Sequence, residues 1–509
     1  MMDSLDHLLG SLGANLDLGH AKRDAAFLRQ VSRMALNPGH TVAGSSSSIA
    51  DAMSAYRFAD NPNVRLPDLR SARLKATLDA ALEGETILLI NDVSTLNYYA
   101  HESKEDRRAV GDGKGKGYEY VCDLAVSLER EQPLGVLHDC LITADGPDDA
   151  DVIDYRAALP MEDFPESSMG RVACNHKHML ICHNRHIVES SPGVHFVTVA
   201  DREFDDHWFF ADRMSKGEDF VIRSNALRNV QVVKPQWLPD SAVTMRHAGL
   251  PLLDGHVCAA MESLVASVPL TPFKSVFLDG NGRLTDEASA KEEARLSVGT
   301  FKVVLYRDAK RDKIYVRPKD YVRLNVVVVK EMSPPPGREP IQWVLFTSLP
   351  TDTPGQIAKV VRIYELRWII ECFFKYLKSG FGLEDIRLDE ARKIAIHLVA
   401  ITIAATFLMG LKSSLGLSSG SRLDDESFAK IKRASKNLND PTIDINLRLF
   451  AWIAMQGKWY GCRKNTISPL LLMKGMARLM QALEAIEAIP GLLLEVAKLK
   501  AEKGKKAHI

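Results

Sequence analysis

One segment late in the 509-residue chain, residues 355–378, constrains the fold more than any other. Its apolar side chains recur every three or four residues, which is typical of the buried face of an α-helix. They are Ile363, Leu366, Ile370, Phe373 and Leu377. We therefore predict one continuous helix here, with its apolar face packed against the rest of the protein.

A second stripe, of polar side chains, lies one residue further along this helix and about 100° around it. It consists of Tyr364, Arg367, Glu371 and Lys378, with Lys375 between the last two. Arg367 and Glu371 are four residues apart, and so are Glu371 and Lys375. A solvated ladder of ion pairs would explain these charges by itself. A functional interpretation needs other carboxylates that converge on Glu371.

Two aspartates offer such carboxylates. Asp92 ends an apolar run that begins at Thr86, and Asp201 follows the run 194–200. Both runs predict buried strands, and an open sheet presents its site at the carboxyl ends of such strands. An aspartate there is also a common turn or helix-capping residue. Together with Glu371, however, the two aspartates would supply the oxygen ligands of a divalent-cation site for phosphoryl transfer.

The remaining patterns predict a mixed α/β protein. We expect a helical amino-terminal domain at 1–75, a catalytic domain at 76–415 and a helical carboxy-terminal domain at 416–509. A β-rich insertion at about 228–350 interrupts the catalytic domain, and residues 413–445 have a polar, loop-like composition. Further strands are predicted at 119–127, 134–143, 220–224, 301–307, 313–317, 323–329 and 342–347. The glycine- and lysine-rich turn at 111–117 predicts a β-hairpin tip. Contact with a DNA backbone is one interpretation of this tip, and a turn without such a contact is the other.

The spacing Tyr364-x2-Arg367-x3-Glu371-x6-Lys378 resembles the signature of bacterial insertion-sequence DDE transposases. The type it resembles is the insertion-sequence-four type, which includes the transposase of transposon Tn-five. Other blocks resemble this family in the same order: 55–58 with 61–64, 91–98, 201–203, 220–224 and 343–348. The resemblance covers most of the chain.

This resemblance implies a ribonuclease-H-like catalytic core interrupted by a β-rich insertion, with helical terminal domains. It implies that Asp92, Asp201 and Glu371 are catalytic and bind two Mg²⁺ ions, with Mn²⁺ as a substitute. The DNA-binding residues it implies are Tyr364, Arg367, Lys375, Lys378, Arg223 and Trp343. Trp343 would stack on a flipped base, although its strand sequence equally fits a core aromatic residue.

The implied activity is cut-and-paste DNA transposition. The protein would bind the inverted repeats at the ends of the element, nick them, form and open a DNA hairpin, and join the 3′ ends to target DNA. Double-stranded DNA and a second copy of the chain would be its partners, with no membrane and a bacterial cytoplasmic location. The alternatives are a non-catalytic or domesticated DNA-binding regulator and a metal-dependent DNA nuclease of the same fold.

A competing metal site is suggested by the Cys- and His-rich segment 174–186. Its members Cys174, His178, Cys182 and His186 are each four residues apart. On one helix they would form a line about 18 Å long, which does not surround a single ion. A structural zinc would need partners from elsewhere, and a half-buried helix that happens to be rich in histidine is the alternative.

The zero formal net charge conceals two parts of opposite sign. Residues 359–509 contain 25 Lys and Arg against 15 Asp and Glu, and the preceding 358 residues contain 40 against 50. The basic part holds most of the implied phosphate contacts, where DNA affinity would need it. Within it, Ile394–Leu411 is barely long enough to span a membrane, and its His397, Thr402 and Thr406 favour a buried core helix.

Overall fold

The structure is a computed structural model. It describes residues 2–38, 42–46, 48–111, 113–146, 148, 187–189, 191, 193–244, 252–278, 284–285, 292–306, 321–411, 425–459, 467 and 471–479. The chain divides into two compact units, each assembled from separated stretches. The sheet unit comprises Arg65–Phe374 and Leu388–Ala395, and the helical unit comprises Met1–Val64, Lys375–Arg387 and Ile396–Ile509. The three domain ranges expected from the sequence stay a prediction.

Helices form the first part of the chain, as its apolar spacing predicts. They are α1 (Met2–Asn15), α2 (Ala21–Leu36), α3 (Val42–Ser45), α4 (Ile49–Asp60) and α5 (Leu66–Asp79). Local chemistry sets two of the starting points. The Ser48 side chain accepts a hydrogen bond from the Asp51 backbone N–H and so caps α4, whereas α5 begins with a proline in its first turn.

The strands that the structure describes all belong to the sheet unit and to one fourteen-stranded sheet. They are β1 (Thr86–Asn97), β2 (Arg108–Val110), β3 (Gly115–Ser127), β4 (Gln132–Ile142), β5 (His195–Ala200), β6 (Asp219–Arg223), β7 (Asn229–Val233), β8 (Val243–Thr244), β9 (His256–Ala260), β10 (Thr271–Leu278), β11 (Leu284–Thr285), β12 (Glu292–Tyr306), β13 (Tyr321–Glu331) and β14 (Gln342–Thr347).

The pairing of these strands places β1 inside a mixed sheet, with β3 on one side and β5 on the other. The path through the sheet is β2-β3-β1-β5-β6-β14-β13-β12-β7-β9-β8. β1 is antiparallel to β3 but parallel to β5, and β5 is parallel to β6. β14 then pairs antiparallel with β6, so the strands of the β-rich section 228–350 continue the same sheet.

Aromatic side chains fill the core on one side of this sheet. Phe210 stacks on Phe220 with ring centroids 5.4 Å apart and meets Phe346 edge-on at 5.6 Å. All three rings are buried, and each belongs to a different element of the sheet unit. Their packing fixes β6 and β14 beside each other, close to where the polar residues of the candidate site lie.

The other α-helices in the described part of the chain are α6 (His207–Ser215), α7 (Met261–Ser267), α8 (Pro354–Leu366), α9 (Trp368–Lys375), α10 (Ala391–Gly410), α11 (Asp425–Lys436) and α12 (Ile445–Gln456). The prediction of one continuous helix over 355–378 is wrong in detail. It is divided into α8, α9 and a short π-helix at Tyr376–Gly380. The break lies at Arg367, where tighter bonds replace the α-helical ones: the Arg367 N–H donates to the Tyr364 carbonyl at 3.1 Å.

The prediction of a loop over 413–445 is wrong for 425–436, which form α11, whereas residues 437–444 are non-helical as predicted and 413–424 lie outside the described residues. Charged residues dominate this helix, but Ile431 and Ala434 are buried along one side. Phe428, half-buried on the same helix, meets Trp459 edge-on with centroids 6.1 Å apart. A sparse apolar stripe was therefore enough for a helix that packs against its neighbours.

Two further predictions can be compared with the structure. β2 and β3 form the expected β-hairpin, with Val110 opposite Gly115 and Arg108 opposite Gly117. A side chain at Gly117 would meet the Leu96 carbonyl oxygen at 1.8 Å, so only glycine fits there. The helix Ala391–Gly410 is long and apolar enough to span a membrane, but 78% of its apolar window is buried inside the protein. Burial to that extent is typical of a core helix.

Several sequence-based predictions lie outside the described residues. They concern the strand at 313–317 and the Cys- and His-rich segment 174–186. Strands β12 and β13 are described on either side of 313–317, and each is longer than the sequence pattern predicts.

Candidate active site

Asp92 lies inside β1 rather than at its end, which corrects the sequence-based expectation. β1 continues to Asn97 because β3 pairs with it along that length, up to Asn97 opposite Gly117. The parallel partner β5 ends earlier, and its last pair with β1 is Ile90 with Val199. Asp92 is therefore the second residue beyond the parallel ladder, at the edge where a site is expected.

Asp201 follows the last residue of β5, as predicted. Extending the parallel register by two residues from Ile90 and Val199 brings Asp201 level with Asp92. The Asp201 side chain also begins the 3₁₀ turn Arg202–Phe204, since its Oδ1 accepts a hydrogen bond from the Glu203 backbone N–H at 2.8 Å. The residue has the capping role that its sequence position suggested, and it lies beside the first aspartate.

Glu371 reaches the same place through Arg367. The Arg367 guanidinium donates from Nη1 to Asp92 Oδ2 at 3.1 Å and from Nη2 to Glu371 Oε1. Only 16% of the Arg367 side chain is exposed. The ion pair between Arg367 and Glu371 is thus not part of a solvated surface ladder, because the same guanidinium also binds the Asp92 carboxylate on strand β1.

The charge around Asp92 is unbalanced. Burial raises its pKa, and the neighbouring carboxylates Asp201 and Glu371 raise it further. Arg367 and the Val93 backbone N–H act in the opposite direction, yet the pKa still rises to about 6. One guanidinium therefore does not compensate the three acids, and a further cation would be stabilised here.

Arg367 responds to the same surroundings. Burial alone would lower its pKa, but Tyr364, Asp92 and Glu371 outweigh that effect and raise it. The guanidinium therefore stays protonated while it lies between the carboxylates.

The three carboxylates suit a divalent cation in ligand chemistry, since Mg²⁺ and Mn²⁺ prefer hard oxygen ligands. Their arrangement does not close around an ion by itself. Across the described part of the chain, no three His, Cys, Asp or Glu side chains are grouped so that they would hold a metal ion. The Arg367 guanidinium supplies the positive charge between Asp92 and Glu371 instead.

Three of the predicted DNA-binding residues lie on β6, β14 and α8. Trp343 on β14 is half-buried and contacts the buried Tyr364 of α8 edge-on, with ring centroids 5.6 Å apart. Arg223, the last residue of β6, donates from Nη2 to the Gln342 carbonyl at 3.3 Å. Since Tyr364 precedes Arg367 by less than one turn of helix, Trp343 is linked to the carboxylates through neighbouring side chains.

Lys375 and Lys378 belong to the helical unit. Lys375 is exposed, and Lys378 Nζ lies 3.9 Å from Glu384 Oε1. Burial lowers the pKa of Lys378, and Glu384 partly opposes that shift. Their assignment as phosphate contacts stays a prediction.

Sequence reasoning missed a second carboxylate cluster in the sheet unit. Asp139 of β4 accepts hydrogen bonds from Arg70 Nε at 2.9 Å, from both terminal nitrogens of Arg73 at 2.8 Å, and from Tyr120 Oη at 2.9 Å. Arg70 also bonds Asp148. Two features of the sequence could have indicated this cluster. Arg70 and Arg73 are three residues apart on the largely buried helix α5, and Asp139 lies among the apolar residues of strand β4.

Comparison with known protein families bears on this geometry. Residues 195–407 match the family model of the transposase DDE domain. The matched stretch contains Asp201, Arg367 and Glu371, whereas Asp92 lies before it. A DDE transposase domain suggests a ribonuclease-H-like fold, which is in keeping with the mixed sheet around β1, β5 and β6. The match, over less than half of the chain, shows that residues 195–407 are similar to transposase DDE domains.

Proposed function

We propose that the protein is a cut-and-paste DNA transposase of the insertion-sequence-four type. The observation that carries this proposal is the joint contact of Arg367 with Asp92 and Glu371. This contact connects α8 and α9, which carry the signature spacing, to β1, which carries Asp92. Residues 195–407 of the same chain match the transposase DDE domain. Excision of the element and joining of its ends to target DNA would both use this site.

Asp92, Asp201 and Glu371 are the residues that would hold two Mg²⁺ ions, or Mn²⁺ in their place. Bound ions of this kind activate a water or hydroxyl and neutralise charge on the phosphodiester that is being cut. The three carboxylates belong to regular elements: Asp92 lies on β1, Asp201 follows the end of its parallel neighbour β5, and Glu371 lies on α9. Rigid elements of this kind hold reacting groups in line.

The basic and aromatic side chains would position the DNA. Arg367 presents a planar guanidinium that suits two phosphate oxygens at once, Tyr364 precedes it by less than one turn on α8, and Arg223 ends β6 beside β14. Trp343 has a half-buried ring that would stack on an extruded base. Lys375 and Lys378 would add phosphate contacts from the chain that follows Glu371.

One site can serve every step, because nicking, DNA-hairpin formation, DNA-hairpin opening and strand transfer are all in-line displacements at phosphorus. The nucleophile is a water or a DNA 3′-hydroxyl at each step. No covalent bond between protein and DNA is therefore required.

The proposed partners are double-stranded DNA and a second copy of the chain. The excess of Lys and Arg after residue 358 supports the affinity for phosphate. Pairing of two protomers on two element ends would restrict cleavage to complete complexes. We propose a cytoplasmic protein that works on the bacterial nucleoid.

The test uses linear DNA that carries the terminal inverted repeats flanking the gene, together with Mg²⁺ and a target plasmid. We expect nicked, DNA-hairpin and joined products from the wild type and none from Glu371→Gln. Binding of the repeats without any cleavage would instead identify a DNA-binding regulator. Cleavage without joining would identify a nuclease.

Trp343 gives a step-specific test. Trp343→Ala should slow DNA-hairpin formation and opening about 10- to 100-fold, since stacking on one base contributes about 1–3 kcal/mol. First-strand nicking should change much less, and Trp343→Phe, which keeps a ring, should recover most of the loss. Gel analysis of the intermediates measures each step, and an equal loss at all steps would show that Trp343 only packs against Tyr364.

A further inference from the structure

Both oxygens of Asp92 are engaged by the protein itself. Oδ2 accepts a hydrogen bond from Arg367 at 3.1 Å, and Oδ1 accepts one from the Val93 backbone N–H at 2.8 Å. Glu371 Oε1 accepts from the other terminal nitrogen of the same guanidinium. A cation that binds between Asp92 Oδ2 and Glu371 Oε1 would therefore take the place of the Arg367 guanidinium, which already bridges these two atoms.

A DNA phosphate is the ligand that can draw Arg367 away. A guanidinium binds carboxylate and phosphate with the same two-pronged geometry, so the two anions compete for it. Arg367 lies on the boundary between α8 and α9, where the regular helical bonding is interrupted. Its movement toward a phosphate would leave three acids with no compensating positive charge, and their affinity for a divalent cation would rise.

We propose that Arg367 is a positioning residue that couples the two ligands: it closes the carboxylate site in the free protein and opens it to divalent cations when it binds a DNA phosphate. This inference rests on the proposed function. Coupling between two ligands is reciprocal, so the cation should tighten DNA binding by the same factor as DNA tightens cation binding. Free protein would then be kept from nicking DNA at random.

The experiment measures Mn²⁺ binding, and not catalysis, by the electron paramagnetic resonance signal of the free ion. The full chain is titrated alone and with a short duplex of the terminal repeat, and the Mn²⁺ bound by the duplex alone is subtracted. We expect the duplex to raise the Mn²⁺ affinity of the wild type about 5- to 150-fold, the usual range of such coupling. In Arg367→Gln the affinity without DNA should already be raised, and the duplex should add little.

Two further variants test whether a change of charge by itself, without the geometry of Arg367, alters Mn²⁺ binding. Arg367→Lys keeps the positive charge but not the two-pronged geometry, and should restore part of the coupling. Arg362→Gln is the matched control, because Arg362 of α8 also bridges two acids, Glu131 and Glu365, away from the site. Its Mn²⁺ affinity and coupling should equal those of the wild type.

Glu371→Ala separates failure of this inference from failure of the proposed function. If wild type and Glu371→Ala bind Mn²⁺ equally with the duplex present, the carboxylates are not the metal site and the proposed function loses its basis. If Glu371→Ala loses Mn²⁺ while Arg367→Gln behaves as the wild type does, the metal site stands and the coupling through Arg367 is wrong. Circular dichroism of each variant confirms that it is folded.

Discussion

Asp139 is a buried carboxylate and Asp92 a half-buried one in the same sheet, and both accept hydrogen bonds from arginine, but their charge balance is opposite. Burial would raise the pKa of Asp139, yet Arg73 and Arg70 outweigh it and hold that pKa well below its usual range. Burial also raises the pKa of Asp92, but there only one arginine opposes it and two further acids add to it, so the pKa rises to about 6. Asp139 is compensated by the protein, whereas Asp92 is not.

This difference separates a structural cluster from the cluster that we propose to be functional. The arginines around Asp139, with Tyr120, satisfy both of its oxygens in a region closed to solvent. At Asp92 the carboxylates remain partly exposed and carry an excess of negative charge. A protein can hold such an excess only at a cost in stability, which is expected where a cation is needed for function.

The largest expected effect is on catalysis. Glu371→Gln removes one negative charge from the undercompensated cluster but keeps the shape of the side chain. We expect DNA cleavage to fall at least about ten-thousandfold, the equivalent of about 5.5 kcal/mol in activation free energy. Binding of end DNA, followed by gel shift, should be kept. Retained cleavage would remove Glu371 from the proposed metal ligands.

The next effect is on folding, at the compensated cluster. Asp139→Asn leaves Arg73 and one bond of Arg70 buried without their carboxylate, and should lower the free energy of unfolding by about 3–5 kcal/mol. Urea denaturation followed by circular dichroism measures it. A loss below about 1 kcal/mol would mean that the two clusters do not differ in the way described.

Asp92→Asn should raise the free energy of unfolding at high pH, whereas Asp139→Asn lowers it. The folded-state pKa of Asp92 lies above the unfolded value, so the folded protein holds this proton more tightly, and stability falls as pH rises from about 4 to about 6. Above that window the charged carboxylate costs up to about 3 kcal/mol. Without metal, Asp92→Asn should therefore stabilise the protein at pH 8 and have little effect at pH 4. Destabilisation at pH 8 would contradict the proposed charge excess.

The smallest effect is expected at a solvated arginine pair. Arg362 bonds Glu131 and Glu365 much as Arg367 bonds its two acids, but 43% of its side chain is exposed. Arg362→Gln should change the free energy of unfolding by less than about 1 kcal/mol. A larger loss in the same urea titrations would show that exposure does not explain the contrast with Asp139.

The sequence predicted the elements of the site better than their exact form. The strand at Asp92, the strand before Asp201 and the helix around Glu371 could be predicted because each has a strong local pattern of apolar residues. The extension of β1 past Asp92 could not, because it depends on pairing with β3. The break at Arg367 was equally hidden, since residues 363–371 contain no glycine or proline that would predict an interruption.

Long-range contacts were the other limit. The bridge from Arg367 to Asp92 joins residues 275 positions apart, and the cluster at Asp139 joins a helix to a strand more than 60 residues later. Periodicity carries no information about such pairs. The resemblance of the signature spacing to a known family supplied the first contact in part. For the second, the sequence offers two spaced arginines and an aspartate among apolar residues, but nothing that pairs them.

The most direct test of the central claim is to map where a divalent ion sits on the chain. Fe²⁺ in place of Mg²⁺, with ascorbate, peroxide and end DNA, produces hydroxyl radicals that cut the polypeptide next to the ion. We predict three cuts, near Asp92, Asp201 and Glu371, that excess Mg²⁺ suppresses and Glu371→Gln abolishes. Cuts that cluster elsewhere, or that excess Mg²⁺ leaves unchanged, would contradict the assignment of these three carboxylates as the metal site.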